Sequence, residues 1–411
     1  MNYINKIKFT REIFSISVIV AALGYFVDIY DLILFGIVRV QSLKSIGVED
    51  SDIMNQGIFL FNMQMAGMLI GGFLWGIIGD KKGRVKILFG SIFLYSAANI
   101  ANGFINSTEG YAVCRFVAGI GLAGELGAGV TLVLENLPKD LRGYGTMIVA
   151  TIGVLGAILA NYIANIYSWR MSYFIGGGIG IALLIMRMSV YESKMYTHIV
   201  SNNTSKGNLF ILFTNKQRFF KYVKSIMIGL PIWFSVGILI ILSPEFAKDM
   251  KVIGTVSAGN AVMFCYTGLV FGDFCSGFLS QYLQSRKKIV LLFLILSSIA
   301  IAGYFMLSGV RSSLFYAYCV FIGFASGYWA IFITIAAEQF GTNIRATVAS
   351  TVPNIIRGMV IPITYAFQFA RIYIGILNAG AVVGLLCMLI AIYAYYRLEE
   401  TFNKDLDYIE I

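Results

Sequence analysis

Six ionisable residues lie inside long apolar stretches of the sequence, where charged side chains are rare: Asp28, Asp31, Arg115, Glu125, Asp273 and Arg357. A charge at the centre of a bilayer costs about 2.5 to 3.5 kcal/mol by insertion scales unless it is paired or hydrated. A carboxylate beside an arginine in such a setting suits proton exchange, because a small movement of either group changes which protonation state is favoured. These residues are the first candidates for chemistry.

The two acids nearest the N-terminus form the clearest pair. Asp28 and Asp31 are three residues apart and share one face of a helix. Arg115 supplies a counter-charge if its helix packs against theirs. We expect Asp28, Asp31 and Arg115 to couple proton movement to function, with a structural ion pair as the alternative. Glu125 either belongs to this site or accepts a packing hydrogen bond, and Asp273 is expected to be structural.

A second candidate site is centred on Arg357 and the nearby Asn354. Both lie in a segment that Pro353 and Pro362 should bend, because proline removes a backbone donor. Arg357 and Asn354 could hold the carboxylate of a substrate. Alternatively, Arg357 pairs with another acid.

Other kinds of chemistry lack the residues they need. The single histidine, His198, lies in a polar loop, and the five cysteines fall in or beside apolar helices without metal-ligand spacing. The sequence has no Gly-x-x-x-x-Gly-Lys-Ser/Thr phosphate loop. We expect no catalytic residue, no metal and no cofactor, and ATP-driven transport by this chain alone is excluded.

The composition decides what kind of protein carries these residues. With 58% hydrophobic and 13% charged residues, the 411-residue chain has more apolar surface than a soluble core can bury. Its apolar runs of about 20 residues match the thickness of a bilayer. The sequence predicts an all-α membrane protein with twelve crossings, at about 13–38, 54–78, 85–104, 111–134, 144–166, 171–188, 222–242, 257–283, 289–307, 314–337, 346–369 and 372–396.

The distribution of charge predicts the orientation. Twelve crossings place both termini on one face, and most of the 31 lysine and arginine residues fall in loops of that face. Since basic loops face the cytoplasm, both termini are expected to be cytoplasmic in a bacterial inner membrane. The net charge of +10 is therefore explained by membrane topology and does not indicate a nucleic-acid partner. The polar stretch 191–221 is interpreted as a linker between six-helix bundles at 1–190 and 222–411.

The chain also repeats itself after about half its length. Tyr-Ala-Val-Cys-Arg-Phe at 111–116 returns as Tyr-Ala-Tyr-Cys-Val-Phe at 316–321. A Glu followed by an Arg at the same spacing occurs in both halves, as Glu135 with Arg142 and as Glu338 with Arg345. Duplicated membrane helices with polar residues between them are typical of secondary transporters. We expect the two Glu/Arg pairs to cross-link the halves at the cytoplasmic end.

The segment Gly-Ile-Ile-Gly-Asp-Lys-Lys-Gly-Arg-Val-Lys at 76–86 resembles the cytoplasmic loop signature of the major facilitator superfamily. Residues 277–287 are a weaker echo that lacks the Asp. The resemblance implies two pseudo-symmetric six-helix bundles that rock about a central site. It also implies that Asp80 and Arg84 are gate residues, while the lysines of the loop are explained equally well as a topological anchor.

Residues 115–128, which contain an Arg, spaced glycines and a Gly-Glu pair, resemble the metabolite:proton symporter branch of the superfamily. Asp-Ile-Tyr-Asp at 28–31 agrees, although Asp28 stands where Glu is commoner. A closer resemblance is to the phagosomal amino-acid transporters of intracellular bacteria. In the superfamily, the segments that carry five aromatic residues of this chain line the central cavity: Tyr25, Trp233, Phe234, Tyr328 and Trp329. Interfacial anchoring or core packing is the alternative for each of them.

Together these observations predict a monomeric carrier whose partners are a small-molecule substrate, protons and the lipid bilayer. The closest resemblance implies an amino acid, taken up with protons by alternating access. An organic acid, a betaine or a drug is the alternative substrate. A membrane sensor that binds its ligand without transporting it is a further alternative.

Overall fold

The computed structural model describes residues 15–138, 140–187 and 211–404, except for the side chains of Arg84 and Ile211. Within these ranges the chain forms helices and short connections. The first residues, His198 and most of the predicted linker lie outside the described residues. The boundaries predicted for the two bundles therefore remain predictions.

The described residues of the first half form seven helices, which make six crossings between the two ends of a bundle. Their bounds are α1 (Ile16–Ser45), α2 (Ile53–Lys82), α3 (Arg84–Asn102), α4 (Thr108–Leu122), α5 (Glu125–Asn136), α6 (Arg142–Ile166) and α7 (Trp169–Met186).

The second half is more segmented and contains a π-helical turn, Ser235–Ile240, which follows α10 directly. Its helices are α8 (Ile211–Thr214), α9 (Lys216–Met227), α10 (Leu230–Phe234), α11 (Ser243–Asp249), α12 (Ala258–Tyr282), α13 (Arg286–Tyr304), α14 (Ser312–Ala325), α15 (Trp329–Glu338), α16 (Arg345–Gly358) and α17 (Val360–Tyr396).

Among the described residues, eleven helical stretches are long and apolar enough to cross a bilayer. The last, Arg345–Tyr396, has 52 residues. As one α-helix it would be about 78 Å long, far more than the roughly 30 Å of a hydrocarbon core. Gly375 breaks it with φ 77° and ψ 168°, a conformation that glycine adopts without strain. This stretch therefore supplies two crossings, and the prediction of twelve is confirmed.

The crossings are numbered from the N-terminus. Crossing 4 consists of α4 and α5, crossing 7 of α9, α10 and the π-helical turn, crossing 10 of α14 and α15, and crossing 11 of α16 and the part of α17 before Gly375. The end of the bundle that carries residues 80–84 and 397–404 is called the basic end. The other, which carries residues 46–52 and 250–257, is called the opposite end.

The internal repeat is visible in how helices pack within each half. A Cβ atom on Gly67 in crossing 2 would lie 2.1 Å from the carbonyl oxygen of Phe116 in crossing 4. A Cβ atom on Gly268 in crossing 8 would lie 1.9 Å from that of Val320 in crossing 10. Both pairs of helices therefore pack backbone to backbone at equivalent glycines, as small residues allow in membranes.

Crossings 4 and 10 are also interrupted at equivalent points. The first is broken between Leu122 and Glu125, and the second between Ala325 and Trp329. Each break leaves backbone groups near the middle of the bundle without their usual helical partners. Such discontinuous helices form the binding sites of many secondary transporters.

The two halves are in contact through crossings 2 and 5 of the first half and crossings 11 and 10 of the second. Crossing 2 packs on crossing 11, where a Cβ atom on Gly76 would lie 2.9 Å from the Cα of Thr347. Crossing 5 faces crossing 10, where Thr334 donates a hydrogen bond to the hydroxyl of Thr146 over 3.0 Å. The breaks in crossings 4 and 10 therefore lie beside the interface between the halves.

Candidate functional site

An ion pair joins the two halves at the centre of the bundle. Nη2 of Arg357, on α16, lies 3.5 Å from Oδ2 of Asp28, on α1, and both side chains are completely buried. Neither oxygen of Asp28 accepts a hydrogen bond from the described residues. The pair is therefore held by charge attraction alone, and the carboxylate keeps its capacity to accept a proton or a hydrogen bond.

Aromatic rings surround the guanidinium of Arg357. Its Cζ lies 5.6 Å from the ring centre of Trp233 and 5.5 Å from that of Trp329. The indole of Trp329 donates a hydrogen bond to the hydroxyl of Tyr25 over 2.6 Å. A desolvated cation over an indole face gains about 2 kcal/mol. The rings thus help to hold a buried cation for which Asp28 provides the nearest negative charge.

Asn354 ties this site to the break in crossing 4. Its amide donates to the carbonyl oxygen of Ala123 over 2.8 Å and to that of Ser350 over 2.6 Å. Its own oxygen accepts a bond of 3.3 Å from Nη1 of Arg357. Because Ala123 lies in the break, a side chain from the second half satisfies a carbonyl that the first half leaves unpaired. Asn354 thereby orients Arg357.

The space beside these residues is small. Tyr25, Trp233 and Trp329 line a cavity of about 20 Å³, enough for roughly one water molecule. A metabolite can enter only if the halves move apart. Tyr328, the fourth predicted aromatic residue, does not line this cavity: it turns away and donates to the carbonyl oxygen of Ile228 over 2.9 Å.

Asp31 and Arg115 form a second buried ion pair, entirely within the first half. Their nearest atoms are 3.5 Å apart, and neither side chain forms a hydrogen bond with the described residues. Arg115 also lies over the ring of Tyr173, with 5.3 Å to its centre. The sequence places Asp28 and Asp31 near one shared arginine, whereas the structure gives each acid its own, because α1 faces crossing 4 with one acid and crossing 11 with the other.

Glu125 is part of a third ion pair, closer to the basic end. Its carboxylate lies 2.7 Å from Nη2 of Arg187 and accepts a hydrogen bond of 2.6 Å from Ser91. A Cβ atom on Gly24 would lie 1.7 Å from Arg187, so this glycine makes room for the pair. The arrangement matches the packing alternative for Glu125. Arg187 was not recognised as part of a site from the sequence, which places it at the cytoplasmic end of the crossing predicted at 171–188.

Asp80 links the halves at the basic end. Its carboxylate accepts hydrogen bonds from the backbone amides of Ala346 and Thr347 over 3.3 and 2.8 Å, and from the hydroxyl of Thr347 over 2.6 Å. These amides begin α16, where the helix dipole favours a negative charge. The side chain of Arg84, predicted beside it as a gate residue, lies outside the described residues.

The predicted Glu/Arg pairs at this end form different partnerships. Glu135 lies 3.5 Å from Nη1 of Arg345 and so bridges the halves. Glu338 instead pairs within its own half, 3.2 Å from Arg286. Arg142 donates from Nε to the carbonyl oxygen of Leu134 over 2.9 Å, a contact within the first half.

The opposite end is closed as well, by a pair that the sequence analysis missed. Nη2 of Arg39 lies 2.7 Å from Oε1 of Glu245, so that α1 is joined to α11 across the halves. Gly57 leaves the space for Arg39, since a Cβ atom there would lie 2.5 Å from its Cδ. An arginine at the end of the first apolar run was the only signal in the sequence. The structure is thus shut at both ends.

Comparison with models of protein families assigns the chain to a family. The family model described as Major Facilitator Superfamily matches residues 21–364, most of the chain. The chain belongs to the major facilitator superfamily. Membership agrees with the two interrupted crossings and with a buried site between the halves, and it makes the chain a transporter rather than an enzyme.

Relatives within the superfamily are named for metabolites. A putative metabolite transport protein of Haemophilus influenzae is 28% identical over 84% of this chain and 86% of its own length. A probable 4-methylmuconolactone transporter of Cupriavidus pinatubonensis is 22% identical, over 92% and 89%. A putative niacin/nicotinamide transporter of Bacillus subtilis is 23% identical, over 81% and 82%. The chain is therefore a transporter of small metabolites, and these names give no support to an amino acid.

A solved structure has the same fold as this protein. The proton:xylose symporter XylE bound to 6-bromo-6-deoxy-D-glucose matches with a TM-score of 0.74 and 15% identity, over 97% of this chain and 98% of that one. This confirms the predicted fold of two pseudo-symmetric six-helix bundles. The resemblance to the phagosomal amino-acid transporters has no counterpart in these comparisons and stays a prediction.

Proposed function

We propose that this protein takes up a small carboxylate-bearing metabolite together with protons, acting as a monomer in a bacterial inner membrane with its basic end in the cytoplasm. The observation that carries the proposal is the buried pair of Asp28 and Arg357, 3.5 Å apart and contributed by opposite halves. Arg357 provides the cation that a carboxylate requires. Asp28 provides the carboxylate that loses its counter-charge, and can take up a proton, when a substrate binds.

Substrate and proton binding are linked through competition for Arg357. A substrate carboxylate that binds the guanidinium displaces Asp28 from its counter-charge. Leaving a buried charge unpaired costs about 3 to 5 kcal/mol, so the displaced carboxylate takes up a proton from water instead. The site then holds one carboxylate, one guanidinium and one neutral carboxylic acid. Binding of the anion and of the proton thus favour each other.

Asp31 and Arg115 form a second place where a proton can bind. Asp31 lies on α1 about one turn from Asp28 toward the opposite end, and the charged atoms of Asp31 and Arg115 form no hydrogen bonds with the described residues. A proton that enters from that end reaches Asp31 before Asp28. We propose that Asp31 receives the proton and that Arg115 helps to release it.

Alternating access requires one end to open while the other stays closed. The contacts of Asp80 and the pair of Glu135 with Arg345 hold the basic end shut. The pair of Arg39 with Glu245 holds the opposite end shut. Each proton that enters down the membrane potential supplies roughly 2.3 kcal/mol per 100 mV toward this cycle.

An amino acid is the second candidate, and the same pair favours it. A zwitterion could lie between Arg357 and Asp28, with its carboxylate on one and its ammonium on the other. It would leave Asp28 paired and would need no proton there. An organic anion is preferred because it accounts for proton coupling at this site, and because niacin, a carboxylic acid, is named for one relative.

The test is uptake into liposomes that contain the purified protein, under an imposed pH gradient, with labelled monocarboxylates and labelled neutral amino acids. We expect accumulation of a monocarboxylate that collapses when a proton carrier is added. Arg357→Gln should abolish it, whereas Arg311→Gln, a change of an exposed arginine at the opposite end, should not. Binding without passage of any compound would identify a sensor, and unaltered uptake by Arg357→Gln would refute the proposed site.

A further inference from the structure

A large basic cavity lies at the basic end, apart from the central site. It has a volume of about 950 Å³ and is bounded by residues 215–224 of α9 and its cap, by residues 393–399 at the end of α17, and by Gln339. Five of its lining side chains are cationic: Lys216, Arg218, Lys221, Lys224 and Arg397. Among the described residues that line it, the single acid is Glu399, which is 63% exposed and lies 3.5 Å from Lys221.

The wall formed by α9 is fixed to the helices of the gate. Asn215 caps the helix by accepting a hydrogen bond from the amide of Gln217 over 2.8 Å. On the face away from the cavity, Tyr222 donates to the hydroxyl of Thr351 over 2.5 Å. The cations of α9 are therefore presented by a helix that the rest of the protein holds in place.

The wall formed by the end of α17 is fixed as well. Glu400 accepts hydrogen bonds from the hydroxyl of Ser285 and from the backbone amide of Arg286, the latter over 2.9 Å. The ammonium of Lys287 donates to the carbonyl oxygen of Leu398 over 2.8 Å. Two anchored walls with excess positive charge make a built site for an anion.

Exposed aromatic residues indicate the depth of this cavity in the membrane. Phe220 and Tyr393 line it and are 45% and 65% exposed, and Tyr396, three residues further along α17, is 72% exposed. Exposed aromatic side chains at the ends of crossings mark the boundary between head groups and hydrocarbon. The cations therefore lie at the level of lipid phosphates, with apolar rings beside them for the start of an acyl chain.

We propose that this basic cavity binds the head group of an anionic phospholipid, with the phosphate between the cations of α9 and Arg397. Juxtamembrane basic pockets between helices are suited to such head groups. A soluble phosphate would match the same cations but would leave the exposed rings without a partner. This difference is why a lipid is the expected occupant.

The first experiment counts the lipids retained by the full chain after transfer from liposomes of phosphatidylcholine and phosphatidylglycerol, by native mass spectrometry. The triple variant Lys216→Gln, Lys221→Gln, Lys224→Gln should retain at least about tenfold less phosphatidylglycerol, since each near-surface lysine contributes a several-fold effect. The control is Lys81→Gln, Lys82→Gln, Lys86→Gln, which removes three exposed lysines of the same end outside the cavity. Equal retention by both variants would overturn the proposal.

The second experiment needs no substitution. A photoreactive phosphatidylglycerol should label peptides that contain residues 215–224 or 393–399 of the unaltered chain, and labelling confined to other peptides would contradict the site. Competition separates the two sources of phosphate. Glycerol 3-phosphate and inorganic phosphate should leave the labelling unchanged, and displacement by either at millimolar concentration would identify a soluble phosphate as the ligand.

Discussion

The two halves share a scaffold but carry different chemistry at equivalent positions. The residue that resumes the interrupted crossing is Glu125 in the first half and Trp329 in the second. Asp80, which links the halves at the basic end, has Gln281 as its counterpart in the echo of the loop. Among the described residues, the first half contains two buried ion pairs of its own, whereas the second contains one, at the basic end, and surrounds Arg357 with aromatic rings. The comparison teaches that one repeated frame of helices holds different interiors: buried acids with their arginines in the first half, and aromatic rings around an arginine in the second.

The largest effect on substrate accumulation is expected when a buried acid of the first half, Asp31, is compared with a buried acid of the second, Asp273. Asp31→Asn should abolish accumulation against a gradient while sparing exchange of substrate, because the neutral amide cannot carry a proton. Asp273→Asn should leave accumulation nearly unchanged, because the amide oxygen can still accept the hydrogen bond from Ala330. Uptake and exchange in liposomes measure both. If Asp273→Asn also lost accumulation, proton coupling would not be confined to the first half.

The second prediction concerns the residues at the two breaks. Glu125→Gln leaves Arg187 buried without its counter-charge, which should destabilise the protein by about 3 to 5 kcal/mol with little change in KM. Trp329→Phe removes the hydrogen bond to Tyr25 and part of the interaction with Arg357, and should raise KM with little change in stability. Thermal unfolding and uptake kinetics separate the outcomes. A raised KM with normal stability in Glu125→Gln would move Glu125 into the substrate site.

The third prediction tests the shared scaffold. Gly67→Ala and Gly268→Ala should each lower stability by about 1 to 3 kcal/mol, because the added methyl group meets a backbone carbonyl that cannot move away freely. Gly178→Ala is the control, since a Cβ atom there has no neighbour within 4 Å. Thermal unfolding in detergent is the measurement. A strong effect in only one half would show that the packing is less symmetric than the distances indicate.

The fourth prediction concerns the gate that is present in one half only. Asp80→Asn keeps one oxygen acceptor but loses the charge that the N-terminus of α16 favours. Turnover should fall several-fold while KM changes little, because the contact forms only when the basic end is shut. Initial rates over a range of substrate concentrations give both quantities. Unchanged turnover would mean that the loop serves membrane topology alone.

The smallest effect is expected at Glu400, outside the crossings. Burial alone would raise the pKa of Glu400, but the hydrogen bonds from Ser285 and from the amides of Arg286, Phe402 and Lys287 outweigh it and lower that pKa. A lowered pKa in the folded state stabilises the protein above the ordinary pKa and loses that contribution as the pH falls. Glu400→Gln should therefore be slightly less stable at pH 7, and the difference should shrink toward pH 4. A difference that grows on acidification would contradict this assignment.

Much of the fold follows from local features of the sequence, whereas the pairing of charges does not. Apolar runs, loop charges and the repeat predict the crossings and their symmetry. The match of Asp28 with Arg357 depends on how far α1 is rotated between crossings 4 and 11, which no local pattern encodes. Arg187 and Arg39 lie at the ends of apolar runs, where the sequence explains them as basic residues at the membrane boundary. Their partners become apparent only once the helices are packed.

The pairing of Asp28 with Arg357 has a consequence for the efficiency of such a carrier. The cavity beside it is too small for a metabolite, so in the proposed mechanism the closed arrangement belongs to the part of the cycle that proceeds without substrate. There the acid and the base neutralise each other, and the return stroke moves no net charge through the site. If Asp28 carries the coupled proton, this internal substitute for the substrate guards against slippage, in which protons would cross alone and dissipate the gradient.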